Sequence, residues 1–514
     1  MQNRLFRIVP SKRYTLLIFS VILFLILTLQ HGYEFGYNDQ VELLPYAFFL
    51  KHREYYKSDF FIQSLHATLP NERIIMALLL QPFIDQIDSW NIVFHFITSL
   101  VLIIGLAATA HVLIGNLGWA IIAVSVSLIR YYDYGIGNNE VWTPSFQASN
   151  LACALLSWVF YYILKHKINK AFMLLIAASL VHPLEGLHVF IGSAFFILGH
   201  TVKDFSEINI KKVLWPLIYT ATAGVYMTAI YLAKQKNNHV ISSEELFDIL
   251  FNFRHAHHFI FSSFIPQKIV FTFLCVPLAV VAFYRRHRFI GRWVETSFGI
   301  LIAYIFFVEF FNSPTVASFQ AYKSAQWIKF FGIVAVTKFL KEIISLLTNK
   351  SFEKTIQIVL CVYLLHFATK EFWAGKKTFD DILYKNNKAM INICEQIKRY
   401  TPLDAVFIQP FETTELKWYA RRSSYVEFKA NPRHKGFVAE WYNRIREVYG
   451  IHTGCRIKGF ELRDKANTYF LELTTTQLQK LKTKGVTHLL TFRNFKAKGL
   501  KLIIANEKYA VYQL

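Results

Sequence analysis

Long apolar segments recur along residues 1–373, and they limit the folds open to this chain more than any other feature. A helix that crosses a bilayer needs about 20 mostly apolar residues, and fewer where it packs inside a bundle. The pair 171–182 and 187–200 is short enough to form one broken helix or a re-entrant pair. The sequence predicts a mainly α-helical polytopic membrane bundle of about 11 spans, at 14–30, 91–114, 117–131, 147–164, 171–182, 187–200, 213–233, 268–285, 296–311, 326–347 and 355–373.

The distribution of charge divides the chain into two parts. The formal net charge is +22, which would fit a nucleic-acid-binding protein. Residues 1–373 contain only 51 charged side chains, however, whereas the 141 residues of 374–514 contain 39. We therefore predict a multi-span membrane domain over 1–373, with a first external loop at 31–90, and a soluble domain over 374–514. Nucleic acid is not an expected partner.

Lys and Arg residues also predict the orientation of the chain, because cytoplasmic loops are enriched in them. If the predicted spans alternate, every basic loop falls on one side together with the N-terminus. This places the N-terminus in the cytoplasm and the tail in the periplasm, as in a bacterial inner-membrane protein. The basic residues are Arg4, Arg7, Lys12, Arg13, Lys165, Lys167, Lys170, Lys203, Lys211, Lys212, Arg285, Arg286, Arg288, Arg292, Lys350 and Lys354.

The tail alternates helical and strand patterns, which predicts a small α/β domain. Helices are expected at 385–400, 412–420, 436–449 and 475–483. Strands are expected at 405–408, 425–428 and 486–492, with an antiparallel pair at 500–505 and 509–513.

The first external loop supplies the leading catalytic candidate, Asp39, just after the first span. Glu42 lies three residues later, so the two carboxylates would share a helix face. Asp59 follows in the same loop. The segment NERIIMALLLQPFIDQID (71–88) comes after it and predicts an amphipathic interfacial helix. A carboxylate near the membrane surface suits general-base or metal-ligand chemistry on a lipid-linked substrate. The alternative is that these acids are solvated or cap helices.

Two further external segments carry acids. Asp133 and Glu140 lie in the second loop and are candidates for a second acid or metal ligand, with solvated interfacial acids as the alternative. His182 and Glu185 interrupt an apolar run in the sequence HPLEG. Ionisable groups at membrane depth usually face a cavity or a partner, so this break is a candidate substrate-facing kink. A mutually satisfied His–Glu pair is the alternative.

Basic groups collect on the same predicted face. Arg254, His257, His258 and Lys323 are candidates to bind a phosphate or diphosphate. Three histidines in the sequence RHAHH also suggest a metal, but their helical spacing is not expected to bring all three together. An interfacial polar patch is the alternative for this cluster, and snorkelling is the alternative for Lys323. The basic segments 421–422 and 433–435 of the tail are interpreted as a solvated face or a headgroup contact.

This plan resembles the GT-C class of membrane glycosyltransferases, in which a first span leads to a long external loop with an acidic residue near its start. The segments YNDQVELLPY, KSDFF, HPLEGL, RHAHHF, TPLDAVFIQPFE, ARRSSYVEFK and EWYNRI resemble a group of bacterial multi-span proteins assigned to this class by similarity. The resemblance implies that Asp39 is the acidic residue of the first loop. The chain lacks the WWDYG sequence of oligosaccharyltransferases and the adjacent Asp-Glu pair of protein O-mannosyltransferases.

The leading hypothesis is therefore an inverting transferase that moves a sugar from a polyprenyl-phosphate donor to an external glycan, lipid or protein acceptor. Its expected partners are this donor, the acceptor and membrane lipids, and a divalent cation, Mg²⁺ or Mn²⁺, is the only cofactor considered. Two alternatives stay open. One is a transporter or flippase of a lipid-linked or small substrate, and the other is a non-catalytic membrane subunit of an envelope assembly.

Overall fold

The computed structural model describes residues 10–201, 210–235, 241–375, 387–496 and 499–514. Each apolar segment predicted as a span lies largely within a helix. Arg4, Arg7 and Lys203, used to predict orientation, lie outside the described residues. The helices of the first part are α1 (Pro10–His31), α2 (Gln40–Lys51), α3 (Phe60–Ala67), α4 (Ile74–Leu80), α5 (Ile87–Ile114), α6 (Leu117–Ser125), α7 (Ala148–Leu164), α8 (Ile168–Val181), α9 (Pro183–Thr201), α10 (Ile210–Tyr219), α11 (Val225–Gln235), α12 (Ser243–Phe247), α13 (Ala256–Phe259), α14 (Pro266–Phe283), α15 (Arg288–Phe311), α16 (Pro314–Ala317), α17 (Ala325–Leu347) and α18 (Lys350–Trp373).

Short 3₁₀-helical and π-helical turns join several of these helices. The wider π-helical turns are Val126–Arg130, Thr220–Gly224 and Asp248–Arg254. The tighter 3₁₀ turns are Gln81–Gln86, Ile136–Asn138, Phe261–Ser263 and Ala321–Ser324. Through the first of these tighter turns, the predicted interfacial helix runs directly into α5.

Six helical runs in the described part of the chain are long and apolar enough to cross a membrane. They are Arg13–His31, Ile74–Ile114, Leu214–Gln235, Pro266–Phe283, Arg288–Phe311 and Lys350–Trp373. Val281 and Phe310 on these runs are 71% and 74% exposed, as lipid-facing side chains are. The protein is therefore mainly helical with several candidate membrane spans, and the predicted number of about 11 is not confirmed.

Small residues let these helices pack closely, as is common in membrane bundles. A side chain at Gly105 of α5 would collide with Ser157 of α7, and one at Gly332 of α17 would collide with Cys275 of α14. The largest apolar core of the described structure joins α1, α5–α9, α14, α15, α17 and α18.

The tail forms a five-stranded mixed sheet flanked by helices, which confirms the α/β prediction. Its strand order is β2-β1-β3-β5-β4, with β1 parallel to β2 and β3, and β5 antiparallel to β3 and β4. The strands are β1 (Val406–Ile408), β2 (Ser423–Ser424), β3 (His488–Phe492), β4 (Lys501–Ala505) and β5 (Tyr509–Gln513). The helices are α19 (Lys388–Tyr400), α20 (Lys435–Tyr449), α21 (Arg463–Leu471) and α22 (Thr475–Thr483), with a π-helical turn at Leu416–Ala420 and a 3₁₀ turn at Gly459–Leu462.

Three expectations for the tail differ from the structure. The helix expected at 412–420 is only the π-helical turn Leu416–Ala420. The strand expected at 425–428 is wrong, since β2 covers Ser423–Ser424 and the following residues leave the sheet. Tyr425 and Phe428 there are buried in a core shared with the membrane part. The sequence also missed α21, whose polar composition gives little helical periodicity. The first residues of the helix expected at 385–400 lie outside the described residues.

The tail packs directly onto the membrane part. One apolar cluster contains Leu250 and Tyr304 of the first part together with Phe428, Trp441 and Tyr449 of the tail. The predicted external loops lie close to this contact, and a large cavity lies between the two parts.

Candidate functional site

A cavity of about 1530 Å³ lies between the membrane part and the tail. Ligand sites usually measure about 300–1,000 Å³, so this one can hold a large substrate. Its walls combine all the segments that the sequence placed on the external side. Representative lining residues are Asp39, Asn139, His182, His257, Lys323 and Lys429.

Backbone and side-chain contacts fix the position of Asp39 at the cavity wall. Gln40 accepts a hydrogen bond from the Gly36 amide at 2.7 Å and donates one to the Phe146 carbonyl at 2.7 Å. The Asp39 carbonyl accepts the Leu43 amide at 3.0 Å as α2 begins. Its carboxylate does not cap the helix and forms no hydrogen bond or ion pair with any described residue. The backbone is therefore fixed while the carboxylate stays available.

Cationic side chains surround this carboxylate. Burial alone would raise the pKa of Asp39, but Lys429, Arg73 and Arg433 together hold it well below its usual range. Lys429 also lines the cavity, and within the described structure its ammonium has no ion-pair partner. Burial lowers the pKa of Lys429 to about 8, although Asp39 opposes this shift. Asp39 is thus ionised at neutral pH beside a cation that is available to an anionic ligand.

Glu42 and Arg73 form an ion pair next to Asp39. Both Asp39 and Glu42 line the cavity, as their spacing in the sequence predicted. Glu42 is buried, and its pairing with Arg73 leaves it less available for proton transfer than Asp39. The neighbouring Glu72 pairs with Lys234 at 3.0 Å and lies 3.9 Å from Arg433.

The other acidic candidates each have a basic partner. Asp133 lies 3.0 Å from Lys268 and is largely exposed. Glu140 is paired with Lys329 and accepts the Gly135 amide at 2.9 Å. Both residues line the cavity, but their charges are already balanced.

Asp59 requires a correction, because it lies outside the cavity lining. Its side chain is fully buried and accepts the Ile62 amide at the start of α3 and the Ser424 amide of β2, both at 2.9 Å. Lys417 of the tail lies 3.9 Å away. Asp59 therefore caps a helix and attaches the first loop to the tail.

His182 and Glu185 both line the cavity, at the break between α8 and α9. The His182 ring accepts a hydrogen bond from the Glu185 amide at 3.4 Å, but the two side chains do not pair. The Glu185 carboxylate instead accepts hydrogen bonds from Lys323 at 3.0 Å and Gln326 at 2.6 Å. Lys323 also donates to Asn139 at 3.3 Å. Because Glu185 neutralises Lys323, this lysine is a weaker phosphate candidate than Lys429.

Arg254 also requires a correction, since the structure buries it outside the cavity lining. Its guanidinium donates to the carbonyls of Phe428 at 2.6 Å and Lys429 at 3.0 Å. It also lies over the rings of Phe428 and Phe460. Arg254 therefore holds the backbone that presents Lys429 and is not placed to contact a phosphate itself.

His257 and His258 line the cavity as predicted candidates, together with His255. The expectation that their spacing keeps the three histidines apart is wrong. One ligand nitrogen from each lies within 4.8 Å of the other two. The helix breaks at His255, whose φ of −124° and ψ of 28° redirect the chain.

The sequence did not identify Lys429 and Arg433 as site residues, although both are tail cations that lower the pKa of Asp39. The segment 433–435 was expected to be a solvated face, but Arg433 and Lys435 line the cavity. Arg421 and Arg422 are not solvated either. Arg422 is buried against the carbonyls of Lys398 and Thr401, and Arg421 lies over the rings of Phe48 and Trp418.

The cavity lining also includes apolar side chains, which are called the apolar wall below. They come from α9, the junction of α10 and α11, and the turn Asp248–Arg254. Such a wall can hold a hydrocarbon chain while the charged groups hold a polar head. Its side chains include Leu187, Phe190, Tyr219, Met227, Ile230, Leu250 and Phe251.

Comparison with known families matches only part of the tail. Residues 388–448 match a family described as a domain of unknown function, DUF6798. The matched segment includes Lys429 and Arg433, so it contributes cations to the cavity. No curated protein matches the chain.

Proposed function

We propose that this protein is an inverting membrane glycosyltransferase that moves a sugar from a polyprenyl-phosphate donor to an acceptor on the external face of a bacterial inner membrane. The observation that carries this proposal is the ionised Asp39 carboxylate, which faces a cavity beside an available lysine and an apolar wall. Candidate membrane spans next to this cavity fit a substrate that stays anchored in lipid.

Lys429 and Arg433 are the proposed binding groups for the donor phosphate. A cation held at this position stabilises the negative charge that develops as the phosphate leaves. Lys323 is a weaker candidate because Glu185 already pairs with it. The isoprenoid chain would lie along the apolar wall, so the charged head and the hydrocarbon tail would bind in different parts of one cavity.

Asp39 is the proposed general base. The acceptor hydroxyl oxygen attacks the anomeric carbon and forms the new bond, while the bond from that carbon to the phosphate oxygen breaks. The phosphate leaves with the electron pair, and the hydroxyl proton passes to Asp39. Because Asp39 is ionised at neutral pH, it can accept this proton, which the attacking hydroxyl releases only as its bond to carbon forms.

Four acids of the cavity, Asp39, Glu42, Glu140 and Glu185, do not fit a Mg²⁺ or Mn²⁺ site well. These hard cations prefer several oxygen ligands. Glu42, Glu140 and Glu185 are engaged by Arg73, Lys329 and Lys323, which leaves Asp39 alone among these four. We therefore assign no step to such a cation.

The first test compares Asp39→Asn with wild type in membranes supplied with radiolabelled polyprenyl-phosphate hexoses. Asparagine keeps the shape of the side chain but cannot accept the proton, so transfer should fall by about 10²–10⁴-fold. The matched control is Asp464→Asn, because Asp464 is an exposed acid on α21 and its loss should leave transfer unchanged.

A wild-type rate of sugar transfer in the Asp39→Asn variant would show that Asp39 is not the general base. Movement of labelled lipid across vesicles without cleavage of the sugar bond would favour the transporter or flippase. A tolerated change at Asp39, together with a stable co-purifying protein, would favour a non-catalytic subunit.

A further inference from the structure

Three histidines converge at the cavity wall next to the turn Asp248–Arg254. The chain leaves this turn at His255 and restarts as the short helix α13. This break turns the ring of His255 toward those of His257 and His258, so that one ligand nitrogen from each lies within 4.8 Å of the others. All three residues line the cavity, so a further ligand can approach from there.

Hydrogen bonds define which nitrogen of two rings carries a proton. Nδ1 of His258 lies 2.7 Å from the Gly137 carbonyl, and Nε2 of His255 lies 3.0 Å from Oδ1 of Asn431. Both partners are acceptors, so these nitrogens donate and the opposite nitrogens keep their lone pairs. Metal-binding histidines are usually oriented by hydrogen bonds of this kind.

The contact with Gly137 depends on a position that favours glycine. Gly137 has a φ of 71°, and a Cβ there would lie 2.7 Å from the Cβ of Tyr322. A glycine at this position therefore lets the backbone approach closely enough to orient His258.

Burial and the nearby Arg254 lower the pKa of His257. Arg254 also contacts Nδ1 of His255 at 3.5 Å, a long hydrogen bond that a metal ion would replace.

We propose that His255, His257 and His258 form a binding site for a transition-metal ion of the Zn²⁺ type, with one coordination position open to the cavity. Imidazole nitrogens favour Zn²⁺, Co²⁺, Ni²⁺ and Cu²⁺ over Mg²⁺ and Mn²⁺. Three histidines with an open fourth position are a common arrangement for Zn²⁺. This proposal stands apart from the proposed function, because it rests on different residues.

The test is a Co²⁺ titration of the purified, tag-free full chain in detergent after treatment with a chelator, followed by Zn²⁺ competition. Wild type should bind one equivalent and show the visible absorption bands of tetrahedral Co²⁺. His257→Ala should weaken binding at least tenfold, and Asn431→Leu should weaken it about 10–100-fold because His255 loses its orienting partner. His452→Ala, which removes an exposed histidine of the tail, should bind as wild type does.

To check that the variants are folded, their thermal unfolding temperatures are compared with that of wild type in the absence of metal. The His257 ring forms no hydrogen bond to a described residue, so His257→Ala should unfold at the wild-type temperature. X-ray absorption of the Zn²⁺-loaded wild type gives a readout that needs no variant, with three imidazole nitrogens expected at about 2.0–2.1 Å. The proposal is overturned if wild type binds no more Co²⁺ than His257→Ala, or if the Zn²⁺ spectrum contains no imidazole.

Discussion

At the scale of single residues, two carboxylates in one loop have different environments. Asp39 and Glu42 are three positions apart and line the same cavity, yet only Glu42 pairs with Arg73. Buried carboxylates usually have a raised pKa. Asp39 departs from this rule because Lys429, Arg73 and Arg433 stabilise its charge. Its ionisation therefore depends on a tail that begins more than 300 residues later in the sequence.

Lys429 predicts a pH dependence for anion binding. Its pKa of about 8 means that the ammonium is charged below this pH and loses its proton as pH rises above it. Binding of geranyl phosphate to purified wild type, followed by calorimetry, should weaken about tenfold or more above pH 8, since a charge-assisted hydrogen bond contributes about 1.5–3 kcal/mol.

Lys429→Arg is the matched control for this pH dependence, because arginine stays protonated over the whole range. This variant should still bind geranyl phosphate above pH 8. If Lys429→Arg and wild type lose the same affinity for geranyl phosphate above pH 8, the group that titrates is not Lys429.

At the scale of elements, a buried polar network attaches the first loop to the tail. Lys417 lies 2.7 Å from Glu427 and 3.9 Å from Asp59, which caps α3. Ser424 of β2 donates both to Asp59 and to Glu427. These contacts give Asp59 a structural role, because its carboxylate is engaged in the network and does not line the cavity.

Removal of Lys417 should destabilise this contact strongly. Lys417→Met leaves two buried carboxylates without their cation, which costs about 3–5 kcal/mol. The expected result is a clearly lower unfolding temperature in detergent. The matched control is Arg463→Met, which removes an exposed partner of Glu412 and should cost about 1 kcal/mol or less. Equal unfolding temperatures for the two variants would contradict the structural role of Lys417.

At the scale of the whole molecule, the segments predicted on the external side meet around one cavity. This convergence shows that these segments share one side of the molecule, and the Lys and Arg distribution predicts that this side is external. Alkaline phosphatase fused after residue 514 should therefore be active in a Gram-negative host, whereas the same enzyme fused after residue 167 should be inactive. The reverse pattern would place the cavity on the cytoplasmic side.

The sequence predicts the local parts of this architecture well. Apolar runs give helices, and the β4–β5 pair follows from two short apolar segments around a turn. Asp39 could be found because it lies soon after an apolar span and three residues before a second acid, Glu42. Lys429 and Arg254 could not be assigned, because their positions depend on how the tail packs onto distant loops. No local pattern reports that packing.

The most direct test of the account is a structure of the Asp39→Asn variant with a bound short-chain polyprenyl-phosphate sugar. The account predicts that the phosphate lies within about 3 Å of the Lys429 ammonium, near Arg433, with the anomeric carbon facing position 39 and the isoprenoid chain along the apolar wall. A donor bound outside this cavity, or a phosphate held elsewhere with Lys429 free of it, would contradict the proposed role of the site.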